Sequence, residues 1–431
     1  MTDVTSTLDA APAMDTAPAM PGDLMTGAQR LRLVLVLGSL IAIGPLTIDM
    51  YLPALPAITD AMHTTSTAVQ LTLTGTLAGL GLGQLVIGPL SDAYGRRRPL
   101  IYGLVLHVVA SALCVVAPDV ATLGVLRVLQ GLGVAASSVV AMAVVRDLFD
   151  GSAFAKLFSR LMLVMGAAPV LAPTLGGALL RWTQWQGVFV ALAGFGIALT
   201  LVATFFLRET LPVSRRQSGG AAGTLRMYRT LLRDRTFVGL VLVAGLAMAA
   251  LFAYVAGSSF VMQGQYGLDE QQFAIAFGAG AAGLIGATQL NVRLLRRYPP
   301  QRILLGALAG GTLAGLALVL LAATGAGGLP ALLAGLWAVL AAGGLALPNA
   351  PALAMSRHGE AAGTAAALLG AVQFGVGAVA APMVGVLGAD AVAMTVVILS
   401  GMAAALLIAV PVVRAGRFED GPAEPAPVHV G

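Results

Sequence analysis

The chain has 431 residues, of which 58% are hydrophobic and only 10% are charged, with a formal net charge of +5. Soluble globular domains carry about a quarter charged residues, and no fold in water could hide this much apolar surface. The single cysteine, Cys114, lies inside an apolar run and reads as a core residue, which excludes a disulfide framework. Runs of about 20 apolar residues recur along the chain, each long enough to cross roughly 30 Å of hydrocarbon as a helix. The period-2 alternation of membrane barrels is absent. The expected fold class is an all-α polytopic membrane protein with about twelve transmembrane helices.

In chain order, residues 1–29 are rich in Ala, Thr, Pro and Asp and contain no Lys or Arg. A signal peptide starts basic and then turns apolar, so this segment reads as a disordered cytoplasmic tail. Apolar runs follow near 31–56, 66–90, 99–117, 120–145, 157–180 and 187–207, forming an N-terminal six-helix half over 30–208. The stretch 209–235 is polar and rich in glycine and arginine, and reads as a cytoplasmic linker. Further runs near 236–260, 270–292, 301–324, 329–350, 360–386 and 391–413 form a C-terminal six-helix half over 236–414, and 415–431 reads as a second cytoplasmic tail.

Orientation follows from the cations. Arg30, Arg32, Arg96, Arg97, Arg98, Arg146, Lys156, Arg160, the linker arginines, Arg293, Arg296, Arg297, Arg302, Arg357, Arg414 and Arg417 fall on one side, against Arg181 on the other. By the positive-inside rule the basic side is cytoplasmic and both termini lie there. The basic balance is explained by its location, and no nucleic-acid partner is expected.

Between the second and third spans the chain reads Gly88-Pro-Leu90-Ser-Asp92-Ala-Tyr94-Gly95-Arg96-Arg97-Arg98. Gly95 permits a backbone reversal where a helix meets the cytoplasm, and the arginines can pair acids or stay among headgroups. The pattern resembles the cytoplasmic signature of the major facilitator superfamily. That resemblance implies the superfamily's fold and a loop that latches one half against the other during alternating access. Gly88, Asp92, Gly95, Arg96 and Arg97 are the candidate latch. The matching turn, Arg293 to Arg302, lacks the acid and the glycine, so the latch is expected to be one-sided.

In the fourth span Arg127 lies well inside an apolar run, where a charge costs several kcal/mol unless paired or hydrated. Gln130 and Gly131 share its helical face. One reading has Arg127 bonding carbonyls of a neighbouring helix; the other follows a resemblance to the fourth-helix motif tied to proton coupling in the superfamily's drug exporters. The fifth span carries Gly166, Pro169, Pro173, Gly176 and Gly177, a kinked run suited to close packing or sliding. It resembles the antiporter motif, with Ala168 and Ala172 where glycine is commoner. Thr47-Ile-Asp49-Met-Tyr51-Leu-Pro53, Arg146-Asp147 and Tyr254-Val-Ala-Gly-Ser-Ser259-Phe260 resemble the bicyclomycin-resistance (Bcr/CflA-type) group of drug:proton antiporters over roughly residues 30 to 410. Ser259 stands where proline is often found, and is expected to alter the bend of the seventh span.

Sorting the acids by place leaves Asp49 as the one inside a span. Asp49 and Arg127 each lie about seven residues from the outer end of their spans, roughly 10 Å deep. The superfamily's arrangement places spans one and four together, so these two can form a pair. Burial favours the protonated carboxyl and a nearby arginine favours the carboxylate, which is the switch that proton coupling requires. A static salt bridge locking two helices is the competing reading. Candidate substrate-binding residues are Asp49, Tyr51, Arg127, Gln130, Tyr254 and Gln373, with simple helix packing as the alternative for each of those around the pair.

The expected activity is therefore proton-driven efflux of small neutral or weakly polar drugs of the chloramphenicol, florfenicol or bicyclomycin kind. The alternatives are a proton-coupled importer of a small nutrient or an exporter of an endogenous metabolite. The four histidines, His63, His107, His358 and His429, are scattered, so neither a metal site nor an intramembrane enzyme is expected, and no ring of polar residues suggests a channel. No cofactor is expected beyond the proton gradient. The expected partners are a small-molecule drug, protons and the bilayer of a bacterial cell membrane, and the chain is expected to act as a monomer.

Overall fold

A computed structural model describes residues 20–22, 25–216, 220–356 and 362–415. Most of the two expected tails, together with Arg357, Glu360 and Arg417, lies outside the described residues. Twelve helices are long and apolar enough to cross a membrane. The arginine-rich side is called inner below, and the other side outer.

The first span starts with α1 (Gly27–Asp49), opened by a capping box in which Thr26 and Gln29 satisfy each other's backbone amides. Pro45 removes one backbone donor inside α1. The helix stops at Asp49, passes through a 3₁₀ turn at Leu52–Ala54, and resumes as α2 (Leu55–Ala61). Prolines 53 and 56 sit at the starts of these two pieces, where a missing N–H costs nothing. Asp49 is therefore placed at a break in a buried helix, and this break organises the site.

The remaining spans of the first half are α3 (Ser66–Tyr94), α4 (Arg97–Val115), α5 (Val120–Leu148), α6 (Gly151–Leu180) and α7 (Gln186–Phe206). The linker contains α8 (Gly220–Arg233), which reading the segment as a polar stretch passed over. Its arginines 226, 229 and 233 fall on one face and Tyr228 and Leu231 on another, a helical period hidden by the density of charge. The second half runs through α9 (Arg235–Ser259), α10 (Glu270–Leu294), α11 (Pro300–Thr324), α12 (Gly328–Met355), α13 (Ala362–Val386) and α14 (Ala391–Ala415). Large apolar side chains such as Leu35, Leu82, Phe205, Leu313 and Leu407 point outward, as hydrocarbon solvent demands.

Small residues set the helix spacing. A Cβ on Gly79 of α3 would strike the Val128 carbonyl of α5, and one on Gly131 of α5 would strike the Thr76 carbonyl of α3. Gly103 of α4 and Gly133 of α5 approach each other in the same way. Without a hydrophobic drive between helices in lipid, such close van der Waals contact is what holds them. The two halves meet along α3 with α13 and along α6 with α10.

Gly131→Val should lower the thermal midpoint of the detergent-solubilised protein, because overpacking a tight seam costs about 1–3 kcal/mol or more. Gly124→Ala on the same helix faces open space and should be neutral or slightly stabilising. Equal midpoints for the two variants would show that the seam yields freely.

Candidate functional site

Arg127 of α5 is 0% exposed, and no carboxylate pairs with it among the described residues. Its guanidinium donates to the Thr47 carbonyl of α1 at 3.1 Å and to Gln130 Oε1 at 2.5 Å. It lies 4.5 Å from the centre of the Tyr51 ring and 5.7 Å from that of Phe189 on α7. Desolvated contacts of this kind are worth about 2 kcal/mol each. The Nε and one terminal nitrogen of Arg127 remain buried with no hydrogen-bond partner. Gln130 carries the network onward, donating through Nε2 to Ser111 Oγ at 2.7 Å. Ser111 in turn donates to the His107 carbonyl at 2.7 Å and lies 3.5 Å from His107 Nε2. Tyr51 Oη is 2.6 Å from Thr72 Oγ1 on α3.

Asp49 is 6% exposed, and its carboxyl makes no hydrogen bond or ion pair among the described residues. Tyr254 of α9 lies within range of its charge. The predicted Asp49–Arg127 pair is thus not formed in this state. Arg127 meets the first span at the Thr47 backbone carbonyl and the Tyr51 ring. Asp49 projects a half-turn away from Tyr51, about 200° at 100° per residue, and lies on the side of Tyr254 in the second half. The two charges lie on opposite sides of α1.

Other candidates sort by the same geometry. Tyr51, Gln130 and Arg127 form one cluster inside the first half. Tyr254 stacks on Phe277 with ring centres 5.0 Å apart and belongs to the Asp49 side. Gln373 on α13 is half-buried and joins neither group. On α6, Pro169 and Pro173 lie within one continuous helix, and a Cβ on Gly176 would strike the Met50 carbonyl. Gly177 packs in the same way on the Glu270 carbonyl, while Gly166 has ordinary contact with Ile285. The antiporter-like segment therefore seats α6 directly against the break beside Asp49.

At the outer ends, five side-chain hydrogen bonds among the described residues join the halves. Ser259 Oγ donates to the Leu52 carbonyl at 2.7 Å, and Gln263 Nε2 donates to the Pro53 carbonyl at 3.3 Å and to Ser259 Oγ at 2.8 Å. Gln70 reaches the Ala256 carbonyl at 3.3 Å, Thr74 the Ala378 carbonyl at 3.0 Å, and Gln271 the Gly177 carbonyl at 2.8 Å. The broken backbone of the first span supplies two of these acceptors. Ser259 does more than alter a bend: α9 passes through it into a π turn at Phe260–Gln265, and its hydroxyl, which proline lacks, ties that turn to the first span.

At the inner side, Gly95 has φ +90°, and a Cβ there would press on the Glu209 carboxylate and Arg216. Arg96 is ion-paired with Asp92 and with Asp147 at the end of α5, the latter at 2.8 Å. Burial alone would lower the Arg96 guanidinium's proton affinity, but Asp147 and Asp92 outweigh it and hold the group above its ordinary value. Arg97 donates to the Thr204 carbonyl of α7 at 2.6 Å. Gly88, Asp92, Arg96, Arg146 and Asp147 line a cavity of about 150 Å³. Glu209, an acid outside the spans, caps α4: Oε1 accepts from the Arg96 amide at 2.8 Å and Oε2 from the Arg97 amide at 3.2 Å.

The description "Major Facilitator Superfamily" fits residues 37–382 of this sequence. The chain belongs to that superfamily. It is 36% identical over 371 residues to an uncharacterized MFS-type transporter, YdgK, of Bacillus subtilis, covering 86% of this chain and 92% of that one. It is 30% identical over 360 residues to the bicyclomycin resistance protein homolog of Haemophilus influenzae, covering 84% and 90%. A D-xylose-proton symporter has the same fold, with TM-score 0.68 at 16% identity over 88% of this chain and 96% of that one. The name of the Haemophilus influenzae relative agrees with the group that the motifs resemble, and family and fold are those of transporters.

The superfamily loop departs from its expected role in one respect. It was expected to latch one half against the other, but here Asp92, Arg96 and Arg97 bind α5, α7 and Glu209, all within the first half or its edge. With the outer ends closed, the inner ends have no need of that bridge. Across the inner side, Tyr228 of α8 donates to the Leu85 carbonyl of α3 at 3.4 Å.

Partial burial would raise the Glu209 carboxyl, but the amides of Arg96, Leu211 and Arg97 and the Arg216 charge hold it below the usual glutamate range. A depressed value means stability that is present above the unfolded value and lost as pH falls through the folded one. Glu209→Gln should therefore lower the thermal midpoint at pH 7, reflecting a stability loss of order 1 kcal/mol as for other lost caps. The gap from the native chain should close as pH falls below about 4.3. A pH-independent gap would show that the charge of Glu209 is irrelevant.

Proposed function

We propose that the chain exports small neutral or weakly polar drugs in exchange for protons, by alternating access across a bacterial cell membrane with both termini cytoplasmic. The observation that carries this reading is a mismatched pair of charges. A buried arginine has two nitrogens whose N–H donors are unused, and a buried carboxyl on the other face of a broken helix has no partner among the described residues. The resistance names of the relatives and the antiporter-like packing of α6 against the break support the export direction.

The mechanism follows from what each group lacks. A carboxyl with no cation in contact keeps its proton, and an approaching guanidinium displaces it. With the outer ends closed, Asp49 faces the second half and Arg127 is held by Thr47 and Gln130. Asp49 takes its proton from the outer side while that side is open and carries it through closure. Rotation of the segment around Met50, with the outer ends still closed, then brings the carboxylate towards the unused N–H donors of Arg127, releasing the proton to the inner side in exchange for an ion pair. Drug bound between the halves, against Tyr254 and the Asp49 side, stabilises one orientation over the other. Gly176, seated on the Met50 carbonyl, couples that rotation to α6.

Asp49→Asn should abolish proton-driven export while the protein still inserts. The check is everted vesicles in which an exported drug collapses a pumped pH gradient; full activity in the Asn variant would end the assignment. Arg127→Lys should also impair coupling, because lysine keeps the charge but loses the planar fork. An unchanged resistance profile in that variant would make the arginine merely structural.

The same geometry sets substrate charge. Asp49 is the one buried acid among the described residues, so a permanent cation would compete with the proton and meet Arg127 in a low-dielectric site. Phenicols should be preferred over ethidium. One proton entering per neutral drug leaving moves net charge, and 100 mV contributes about 2.3 kcal/mol per turnover. Liposomes with a voltage or a pH gradient imposed alone should both drive phenicol transport. Strong ethidium transport without phenicol transport, or indifference to voltage, would overturn the proposal.

A further inference from the structure

Outside the bundle, at the inner side, α3 and α4 enclose a groove of about 520 Å³ that no part of the transport reading uses. Its walls are two matched stripes at i, i+4, i+8 spacing: Val86, Leu90 and Tyr94 on α3, and Arg98, Tyr102 and Leu106 on α4. The polar tips all lie at one end. Arg98 starts α4 at the inner boundary, with Tyr94 beside it and Tyr102 one turn in. Leu90, Val86 and Leu106 continue roughly 12 Å into the membrane. Gly103, pressed against Ala136 of α5, lets the helices approach closely enough to give the groove a floor.

The arginine triplet decides what the groove is for. Arg96 is consumed by Asp92 and Asp147, and Arg97 by the Thr204 carbonyl. Arg98 is exposed, and no hydrogen bond or ion pair engages it among the described residues. Tyr94 and Tyr102 are likewise open, at 59% and 72% exposure. A free cation and two phenols above an apolar trough match an anionic headgroup above an acyl chain. Tyrosine at the interface and arginine facing the headgroups are what this depth favours.

We propose that this groove is a binding site for an anionic phospholipid of the inner leaflet, held by Arg98 at its headgroup and by the α3–α4 stripes along one chain. The lipid would then sit directly beside Gly95 and the Arg96 network, and would brace the turn from the membrane side.

The test uses the full chain, purified, delipidated, and offered phosphatidylglycerol or phosphatidylcholine, with bound lipid counted by native mass spectrometry. Phosphatidylglycerol should be retained about fivefold better, the factor that one basic residue near an anionic surface supplies. Arg98→Gln should bring the two lipids level, and Leu90→Trp, which fills the trough, should reduce retention of both. Arg160→Gln, an exposed arginine elsewhere on the inner side, should leave the preference intact. Equal retention by the native chain, a preference that survives Arg98→Gln, or displacement of the lipid by free glycerol phosphate or by a phenicol would overturn the proposal.

Discussion

A guanidinium sealed inside an apolar bundle constrains everything around it. Arg127 cannot reach water, so its charge is held by a carbonyl, an amide oxygen and two aromatic faces. That arrangement fixes the register of α1 against α5, because the carbonyl comes from Thr47. It fixes Tyr51 beneath the cation and extends through Gln130 and Ser111 to His107 on α4. It also leaves two of its nitrogens, with three N–H donors, unsatisfied, a cost that a purely structural arginine has no reason to carry. The network is stable enough to hold four helices together and incomplete enough to accept an anion.

The broken first span is the counterpart of that incompleteness. An unbroken helix would have to carry Asp49, Thr47 and Tyr51 as one rigid rod. The interruption after Asp49 gives the carboxyl its own local backbone, and frees the Leu52 and Pro53 carbonyls to bond α9 at the outer gate. One irregularity thus positions the acid, supplies acceptors to the outer closure, and meets the glycine of α6. Coupling between gate and charge needs no long pathway here, since they are neighbours in the same few residues.

Much of this was legible in the sequence, and the reasons are local. Each span is an apolar run closed by polar residues, so most ends were read to within a few residues; the first span runs on to Ala61 through its break, and α6 begins and α12 ends five or six residues beyond the apolar run. Asp49 and Arg127 stood out because charge inside such runs is rare. What sequence could not supply was rotation: whether Asp49 faces α5 or the second half depends on the exact path of α1 near its end. His107 and Ser111 gave no signal, because a lone histidine in an apolar run looks the same whether it packs or bonds. Glu209 caps a helix 113 residues away in the chain, and nothing near it announces that partner. The helix in the linker had a readable period, obscured by its arginines.

The account stands or falls on whether Asp49 exchanges its proton when the outer side opens. The direct measurement is infrared difference spectroscopy of the Asp49 carboxyl, with Asp49→Asn as the blank. It would be run on protein whose outer gate is locked shut by a disulfide between Leu52→Cys and Ser259→Cys, and again after reduction. The account predicts that in oriented proteoliposomes the protonated band of the locked form is lost only when the inner-side pH is raised, and that it answers to the outer-side pH as well once the gate is free. The same band in both forms, at every pH that the protein tolerates, would contradict it.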